Sequence, residues 1–167
     1  MQSSNRGPNA GPLIQTEPGL TVARIENAGC REWYITANRR FGESVEAMFG
    51  RVADCLRAND ATVVSQDVFG VVNARPVLRR AMGEPTWPVT YVEDMPDAQD
   101  PPAGTIVWAV NGVAVEPVVA GGKIVASRLE IDGADVVRAA GLIPGEVRAS
   151  RDEQTHDVFN QIVAALD

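Results

Sequence analysis

The sequence predicts an α+β fold in which helices cover one face of a β-sheet. The first observation is that stretches rich in β-branched and aromatic residues alternate with stretches that have apolar residues at helical spacing. The second is that the strand series has hairpins at its ends, because strand pairs there are separated only by short Gly-containing turns. Helices alternating with strands on a sheet with hairpin ends favour an α+β sandwich with helices on one face.

The composition is that of a globular protein. Apolar residues make up 45% of the sequence. The 167 residues are enough for one ordinary domain or two small ones, with a core that needs no disulfide or metal to stabilise it. The net charge of -7 argues against nucleic acid as a partner, because binding to phosphates requires clustered Lys and Arg. No apolar run approaches the ~20 residues that cross a bilayer, so no membrane partner is expected.

We expect residues 1–17 to be a flexible leader, because the Ser, Asn, Gly and Pro residues of its start bury too little surface to order it. The leader has no apolar segment of the kind that directs secretion, which predicts a cytoplasmic protein. Cys30 and Cys55 are accordingly predicted to be free thiols. His156 is the single histidine and no Cys/His cluster occurs, so we expect no metal and no other cofactor.

The first half of the chain predicts a hairpin followed by a helix. Residues 20–27 and 30–40 are strands joined by a turn at Gly29. Ser44 can cap a helix over residues 44–60. The apolar residues of this helix share one face at helical spacing, namely Met48, Phe49, Val52, Cys55 and Leu56. We therefore expect this face to pack in the core.

The middle of the chain predicts three strands and one short helix. Residues 61–73 are rich in Val and form a strand, and residues 74–83 form the helix. Residues 87–94 and 105–119 are further strands, separated by a loop of acidic residues and proline. The dipeptide Asn111-Gly112 predicts a tight turn of the hairpin type within the last of these strands.

The last third repeats the pattern of the first. Residues 122–132 and 134–146 predict another hairpin, and residues 150–167 an amphipathic helix. Aligned, the two stretches match Arg24 with Arg128, Ile25 with Leu129, Glu26 with Glu130, Gly29 with Gly133, Met48 with Val158, Phe49 with Phe159, Val52 with Ile162 and Leu56 with Leu166. The matched turns and Arg-x-Glu pairs favour an internal duplication over chance. Ion pairing is the expected role of Arg24 and Arg128.

The duplication divides the chain into a complete unit at residues 18–117 and the first half of a second unit at residues 118–167. The second unit lacks the later strands, so the closing helix has too little sheet of its own to cover. Either the sequence is part of a longer protein, or a partner supplies the missing strands.

The complete unit resembles a Rid-type (YjgF-like, L-PSP endoribonuclease) domain. Its order of strand–turn–strand, long helix, DVF-containing strand, short helix and two final strands is similar to that of the family. The second unit contains RLEIDG, AAGLIP and SRDEQTHDVFNQI, which resemble the family's glycine turn and Gln-bearing first helix. The resemblance implies a Rid-like (chorismate-mutase-like) β-sheet with helices on one face, here duplicated. It also implies a homo-oligomer, a trimer or pseudo-trimer, with small-molecule clefts between subunits.

The resemblance further implies a cleft arginine that grips a carboxylate while water hydrolyses an enamine or imine. The first unit departs from this pattern, because Trp87 stands where the arginine is expected and Val107 stands near the place of a glutamate. The second unit retains the family's turn glycine as Gly141 and its helix glutamine as Gln154. We therefore expect the first unit to be structural and any site to involve the second.

The candidate ligand contacts are Trp87, Arg75, Gly141, Arg148 and Gln154. Trp87 is expected either to form the floor of a cleft or to pack as a core or interface aromatic, and Arg75 either to bind an anion or to be solvated. The sequence identifies no catalytic residue. The leading prediction is a divergent, oligomeric Rid-like protein with a small-molecule cleft. The alternatives are an enamine or imine deaminase, or related hydrolase, acting on a small carboxylate-bearing metabolite, and a ligand-binding module without catalysis.

Overall fold

The structure, a computed structural model, describes residues 11–27, 29–70, 73–92, 103–146 and 148–166. These residues form nine strands and three helices, which confirms the predicted α+β class. In chain order the elements are β1 (Leu13–Glu17), β2 (Leu20–Asn27), β3 (Cys30–Asn38), α1 (Val45–Ala58), β4 (Thr62–Phe69), α2 (Ala74–Met82), β5 (Val89–Val92), β6 (Gly104–Asn111), β7 (Glu116–Ala120), β8 (Lys123–Ile131), β9 (Ala134–Ala139) and α3 (Arg151–Leu166).

Six strands form a mixed sheet in the order β1-β2-β3-β6-β4-β5. Neighbouring strands are antiparallel except β4 and β5, which are parallel and lie on either side of α2 in the sequence. β3 and β6 pair from Arg31↔Asn111 to Asn38↔Gly104, so the predicted first hairpin lies directly beside a strand from much later in the chain.

α1 and α2 cover one face of this sheet. The hydroxyl of Ser44 accepts a hydrogen bond from the backbone N–H of Ala47 at 3.1 Å and so caps α1 as predicted. The predicted apolar face of α1 is in the core: Met48, Phe49, Val52 and Leu56 are buried and Cys55 packs at the edge. These side chains contact the sheet residues Trp33, Ile35 and Val107, which gives the molecule its largest apolar cluster among the described residues.

β7, β8 and β9 form a separate antiparallel sheet, which we call the small sheet, against the other face of the six-stranded sheet. The apolar layer between the two sheets consists of Cys30, Val64, Val110 and Leu129, with partly buried neighbours around them. The register of β4 shifts between Val63 and Ser65, and this bulge turns two successive side chains, Val64 and Ser65, toward the small sheet.

α3 packs on the small sheet and is only partly covered by it. Ala165 is its one buried residue within the described part of the helix. The exposed fractions are 62% for Phe159 and 56% each for Val163 and Leu166. This chain thus leaves the closing helix incompletely covered, as the sequence led us to expect.

Three boundaries differ from the sequence-based expectations. The predicted leader is too long, because Leu13–Glu17 pairs with β2 through a turn at Pro18-Gly19 and extends the sheet by one strand. The chain turns at Asn111-Gly112 as predicted, but the two strands that share residues 105–119 lie in different sheets and do not form a hairpin. The predicted unit boundary after residue 117 therefore falls inside β7. Residues 1–10 of the leader lie outside the described residues.

The two sheets begin in the same way. β1-β2-β3 and β7-β8-β9 are both antiparallel meanders of three strands, and a long helix follows each. Arg24 and Arg128 hold equivalent places, since they pair with Leu13 and Glu116 in the strands that open the two meanders. Both arginines make the expected ion pairs: Arg24 with Glu26 on its own strand, and Arg128 with Asp135 on the neighbouring strand.

Candidate functional site

A cleft of about 290 Å³ lies where the β5 edge of the six-stranded sheet meets the small sheet. α2, β5 and the loop between them form one wall. The β7–β8 turn, the segment that follows β9, and α3 form the other. The cleft brings together three of the five predicted ligand contacts, Arg75, Trp87 and Gly141.

Trp87 lines the cleft and is fixed from behind by a buried polar chain. Its Nε1–H donates to Oε1 of Gln66 at 3.0 Å, and Gln66 is fully buried. The amide of Gln66 donates to the hydroxyl of Thr105 at 3.0 Å, which in turn donates to the carbonyl of Asp67 at 2.8 Å. A buried network with its partners satisfied holds a side chain in one arrangement. Trp87 therefore combines the two expected roles, since it packs against the core and lines the cleft.

Arg75 presents a positive charge at the α2 side of the cleft. Its guanidinium carbon lies 5.6 Å from the centroid of the Tyr91 ring, a cation–π contact that orients the side chain. Arg75 is exposed and makes no ion pair with any of the described residues. No described carboxylate therefore neutralises its charge in the cleft.

The other arginines of α2 are occupied. Arg79 also lines the cleft, but Glu84 holds it through two contacts, 2.7 Å at Nε and 2.8 Å at Nη2. Arg80 pairs with Glu46 of α1 at 3.2 Å and does not line the cleft. Of the three arginines that the sequence places on this helix, Arg75 is thus the one suited to a ligand.

Lys123 brings a second positive charge from the small sheet. It is the single lysine of the sequence and follows the Gly121-Gly122 turn at the start of β8. It is exposed and has no ion pair with a described residue. Among the described residues of the cleft walls the charged ones are Arg75, Arg79, Lys123 and Glu84, three cations against one carboxylate. The described walls therefore carry an excess of positive charge in a chain whose net charge is -7.

Gly141 has a packing role at the junction of the two sheets. Its N–H donates to the hydroxyl of Thr90 at 2.9 Å, and its φ is +68°. A Cβ at this position would lie 2.4 Å from the carbonyl oxygen of Val89. Only glycine allows the chain after β9 to approach β5 this closely, so Gly141 shapes the cleft without offering a side chain to a ligand.

Gln161 holds α3 to the segment after β9 and also lines the cleft. Its amide donates to the carbonyl of Ile143 at 3.0 Å and to Asp157 Oδ2 at 3.2 Å. The same carboxylate oxygen of Asp157 accepts the N–H of Gly145 at 2.6 Å. These contacts fix the wall of the cleft opposite Trp87.

Arg148 and Gln154, the remaining predicted contacts, do not line the cleft. Arg148 is exposed, and its backbone N–H donates to the carboxylate of Glu146. The side-chain amide of Gln154 donates to the carbonyl of Ala149 at 2.8 Å. Both lie near the start of α3, while the helix meets the cleft two turns later. Sequence reasoning missed Tyr91, Lys123 and Gln161, because the cleft takes them from three separate elements.

Cys30 and Cys55 are free thiols, as predicted. Burial raises the pKa of both thiols, which keeps them protonated and unreactive at neutral pH. Within the described ranges no cluster of three or more His, Cys, Asp or Glu side chains has the arrangement of a metal site. None of the described helices has the length and apolar character needed to cross a membrane.

No protein-family model and no curated protein sequence matches this chain.

Proposed function

We propose that the protein binds a small anionic metabolite, a carboxylate in the simplest case, in the cleft between its two sheets. The observation that carries this proposal is the pair of cations, Arg75 and Lys123, that line one cleft without an ion pair to a described residue. Guanidinium and ammonium groups of this kind bind carboxylates through charge-assisted hydrogen bonds. The rings of Trp87 and Tyr91 offer apolar surface to the rest of the ligand.

The cleft supports binding better than catalysis. Glu84 is the one carboxylate among its described wall residues, and Arg79 already holds that carboxylate. The described walls contain no Cys, His or Ser that could serve as a nucleophile with a neighbouring base. The non-catalytic ligand-binding module is therefore the form of the proposal that we favour over an enamine or imine hydrolase.

We propose further that the scaffold is a divergent Rid-like unit followed by part of a second. The support is the order β2-β3-α1-β4-α2-β5-β6, which is the order expected for the complete unit, and the equivalent places of Arg24 and Arg128 in the two meanders. On this proposal the first unit is mainly structural, but it also supplies one wall of the cleft. That division differs from the expectation that any site would belong to the second unit.

A cytoplasmic homo-oligomer, a trimer or pseudo-trimer, remains part of the proposal. It is supported by Tyr34 and Ile106, large side chains that stay exposed on the face of the six-stranded sheet away from α1. The molar mass in solution, measured by light scattering at several concentrations, tests this part. A mass equal to that of one chain at all concentrations would remove it.

The binding proposal is tested by NMR titration of the chain with small carboxylates and with the corresponding amides. We expect the carboxylates to bind, and Arg75→Gln to weaken their binding about tenfold, the order of one charge-assisted hydrogen bond. Arg80→Gln is the matched control, because it removes the same charge from the same helix outside the cleft. Equal binding of amides and carboxylates, or equal effects of the two substitutions, would contradict the proposal.

A further inference from the structure

The two cations available to a ligand belong to different parts of the molecule. Arg75 lies in α2, which packs on the six-stranded sheet, whereas Lys123 begins β8 of the small sheet. A ligand with one anionic group neutralises one of them and leaves the other facing a positive wall. A ligand with two anionic groups neutralises both, and its charge of two matches the excess of cations over carboxylates on the described walls.

We infer that the ligand is a small dianion, a dicarboxylate, which bridges Arg75 and Lys123 and so ties the small sheet to the six-stranded sheet. This inference rests on the proposed function and adds to it the class of ligand and a mechanical consequence of binding. The Trp87 ring, fixed by Gln66, lies among the wall residues and receives the carbon chain between the two carboxylates.

The direct polar contacts between the two sheets are modest, which gives such a ligand something to add. Arg138 of β9 reaches Ser65 at 3.3 Å and Asp67 at 3.9 Å, both near the limit for such interactions, and its side chain is half-exposed. The N–H of Gly141 donates to Thr90 at 2.9 Å. The described residues of the two sheets also share the apolar layer around Leu129. A ligand that binds only when both walls are in place stabilises the docked arrangement in proportion to its concentration.

The single lysine allows a direct test. Reductive methylation with 13C-formaldehyde labels Lys123 and the N-terminal amine and keeps the positive charge, so Lys123 gives its own NMR signal. The labelled chain is titrated with malonate, succinate, glutarate and adipate, and with monocarboxylates of equal carbon number. We expect at least one dicarboxylate to shift the Lys123 signal and to bind about tenfold more tightly than its monocarboxylate.

The variants Arg75→Gln and Lys123→Gln separate this inference from the proposed function. Each substitution is expected to reduce the affinity for the best dicarboxylate to that of its monocarboxylate, with Arg80→Gln as the control; the affinities of the Lys123 variant come from backbone amide signals. Monocarboxylate binding that depends on Arg75 and gains nothing from a second carboxylate would overturn the dianion and leave the proposed function in place. Absence of binding by every carboxylate would overturn both.

Hydrogen exchange tests the mechanical consequence on the same samples. The backbone amides of β8 and β9 are expected to exchange more slowly with the best dicarboxylate than with its monocarboxylate at equal occupancy. Equal protection by the two ligands would show that the dianion does not join the sheets.

Discussion

α1 and α3 each follow a three-stranded meander, yet one is sealed in the core and the other is half-exposed. Phe49 is 0% exposed, whereas Phe159, the residue that aligns with it in sequence, is 62% exposed. The sheet under α1 continues from β3 into β6 and β4, and α2 packs at its side. The sheet under α3 ends at β9. Similar apolar faces thus reach different burial, because neighbouring strands decide how much of a helix is covered.

The two helices are also held to their meanders by different chemistry. Arg51 of α1 binds both carboxylate oxygens of Glu43 and donates to the carbonyls of Gly19 at 2.8 Å and Asn38 at 2.9 Å. Gln161 lies three residues after Val158, as Arg51 lies three residues after Met48 in the aligned helix, and it binds a carbonyl and a carboxylate through a neutral amide. Charged hydrogen bonds from Arg51 thus hold α1 to its meander. Neutral hydrogen bonds from Gln161 hold α3 beside the cleft.

The largest difference is expected for the two phenylalanines. Phe49→Ala should lower the free energy of unfolding by about 3–5 kcal/mol, because it leaves a cavity in a closed core. Phe159→Ala should change it by less than about 0.5 kcal/mol, because the side chain is mostly in solvent. Urea denaturation of both variants measures this. A large loss for Phe159→Ala would mean that this side chain is buried by another chain in solution.

The next largest difference is expected between Arg51 and Gln161, the residues that hold the two helices to their meanders. Arg51→Met removes one partner of a mostly buried ion pair and should cost about 3 kcal/mol of unfolding free energy. Gln161→Met removes neutral hydrogen bonds and should cost about 1 kcal/mol. Both substitutions leave an unbranched apolar side chain without hydrogen-bonding groups, so a comparison of their urea midpoints reports mainly on the lost polar contacts. Equal losses of unfolding free energy would show that the charge of Arg51 adds nothing to the strength of its hydrogen bonds.

Gly141 and Gly133 provide a smaller contrast within the small-sheet region. Both have a positive φ, but only the added Cβ at position 141 would meet another atom, the Val89 carbonyl oxygen. Gly133→Ala should cost about 1–2 kcal/mol from its backbone conformation alone. Gly141→Ala should cost more than this and should also weaken ligand binding, because it pushes the segment after β9 away from β5. Thermal unfolding measures the loss of stability, and the carboxylate titration measures the loss of ligand affinity. Equal losses of stability for the two variants would show that β5 moves away from the added Cβ without an energetic cost.

The smallest effect concerns the pH dependence of the ion pair between Arg51 and Glu43. The hydrogen bonds from Arg51 lower the pKa of Glu43 in the folded chain, so between the two pKa values the unfolded chain binds the proton and the folded chain does not. Glu43 therefore adds to the free energy of unfolding above its unfolded pKa of about 4.3. This added stability is lost as pH falls through the lower pKa of the folded chain. Unfolding free energies measured from pH 6 to pH 3 should fall less steeply for Glu43→Gln than for the native chain. Parallel curves would contradict this assignment, and Asp54→Asn, in an exposed pair, is the control.

Several elements follow from local sequence. Ser44 predicts the start of α1 and Gly29 and Gly133 predict the turns of β2-β3 and β8-β9, because caps and turns depend on a few neighbouring residues. β1 is not evident from sequence because its five residues, LIQTE, have no apolar–polar alternation and are ordered by pairing with β2. The sequence places a turn at Asn111-Gly112, but not the separation of β6 and β7 into different sheets, because local pattern does not reveal which sheet a strand joins.

The candidate site shows the same division. The sequence by itself determined that α2 carries three arginines, that a tryptophan precedes β5, and that a glycine follows β9. Only the tertiary structure decided that Arg80 is paired with Glu46, that Arg79 is paired with Glu84 at the cleft edge, and that Arg75 lines the same cleft as Lys123. Ion pairing and cleft formation depend on distances between elements far apart in the chain, and these distances are fixed by the packing of one sheet on the other.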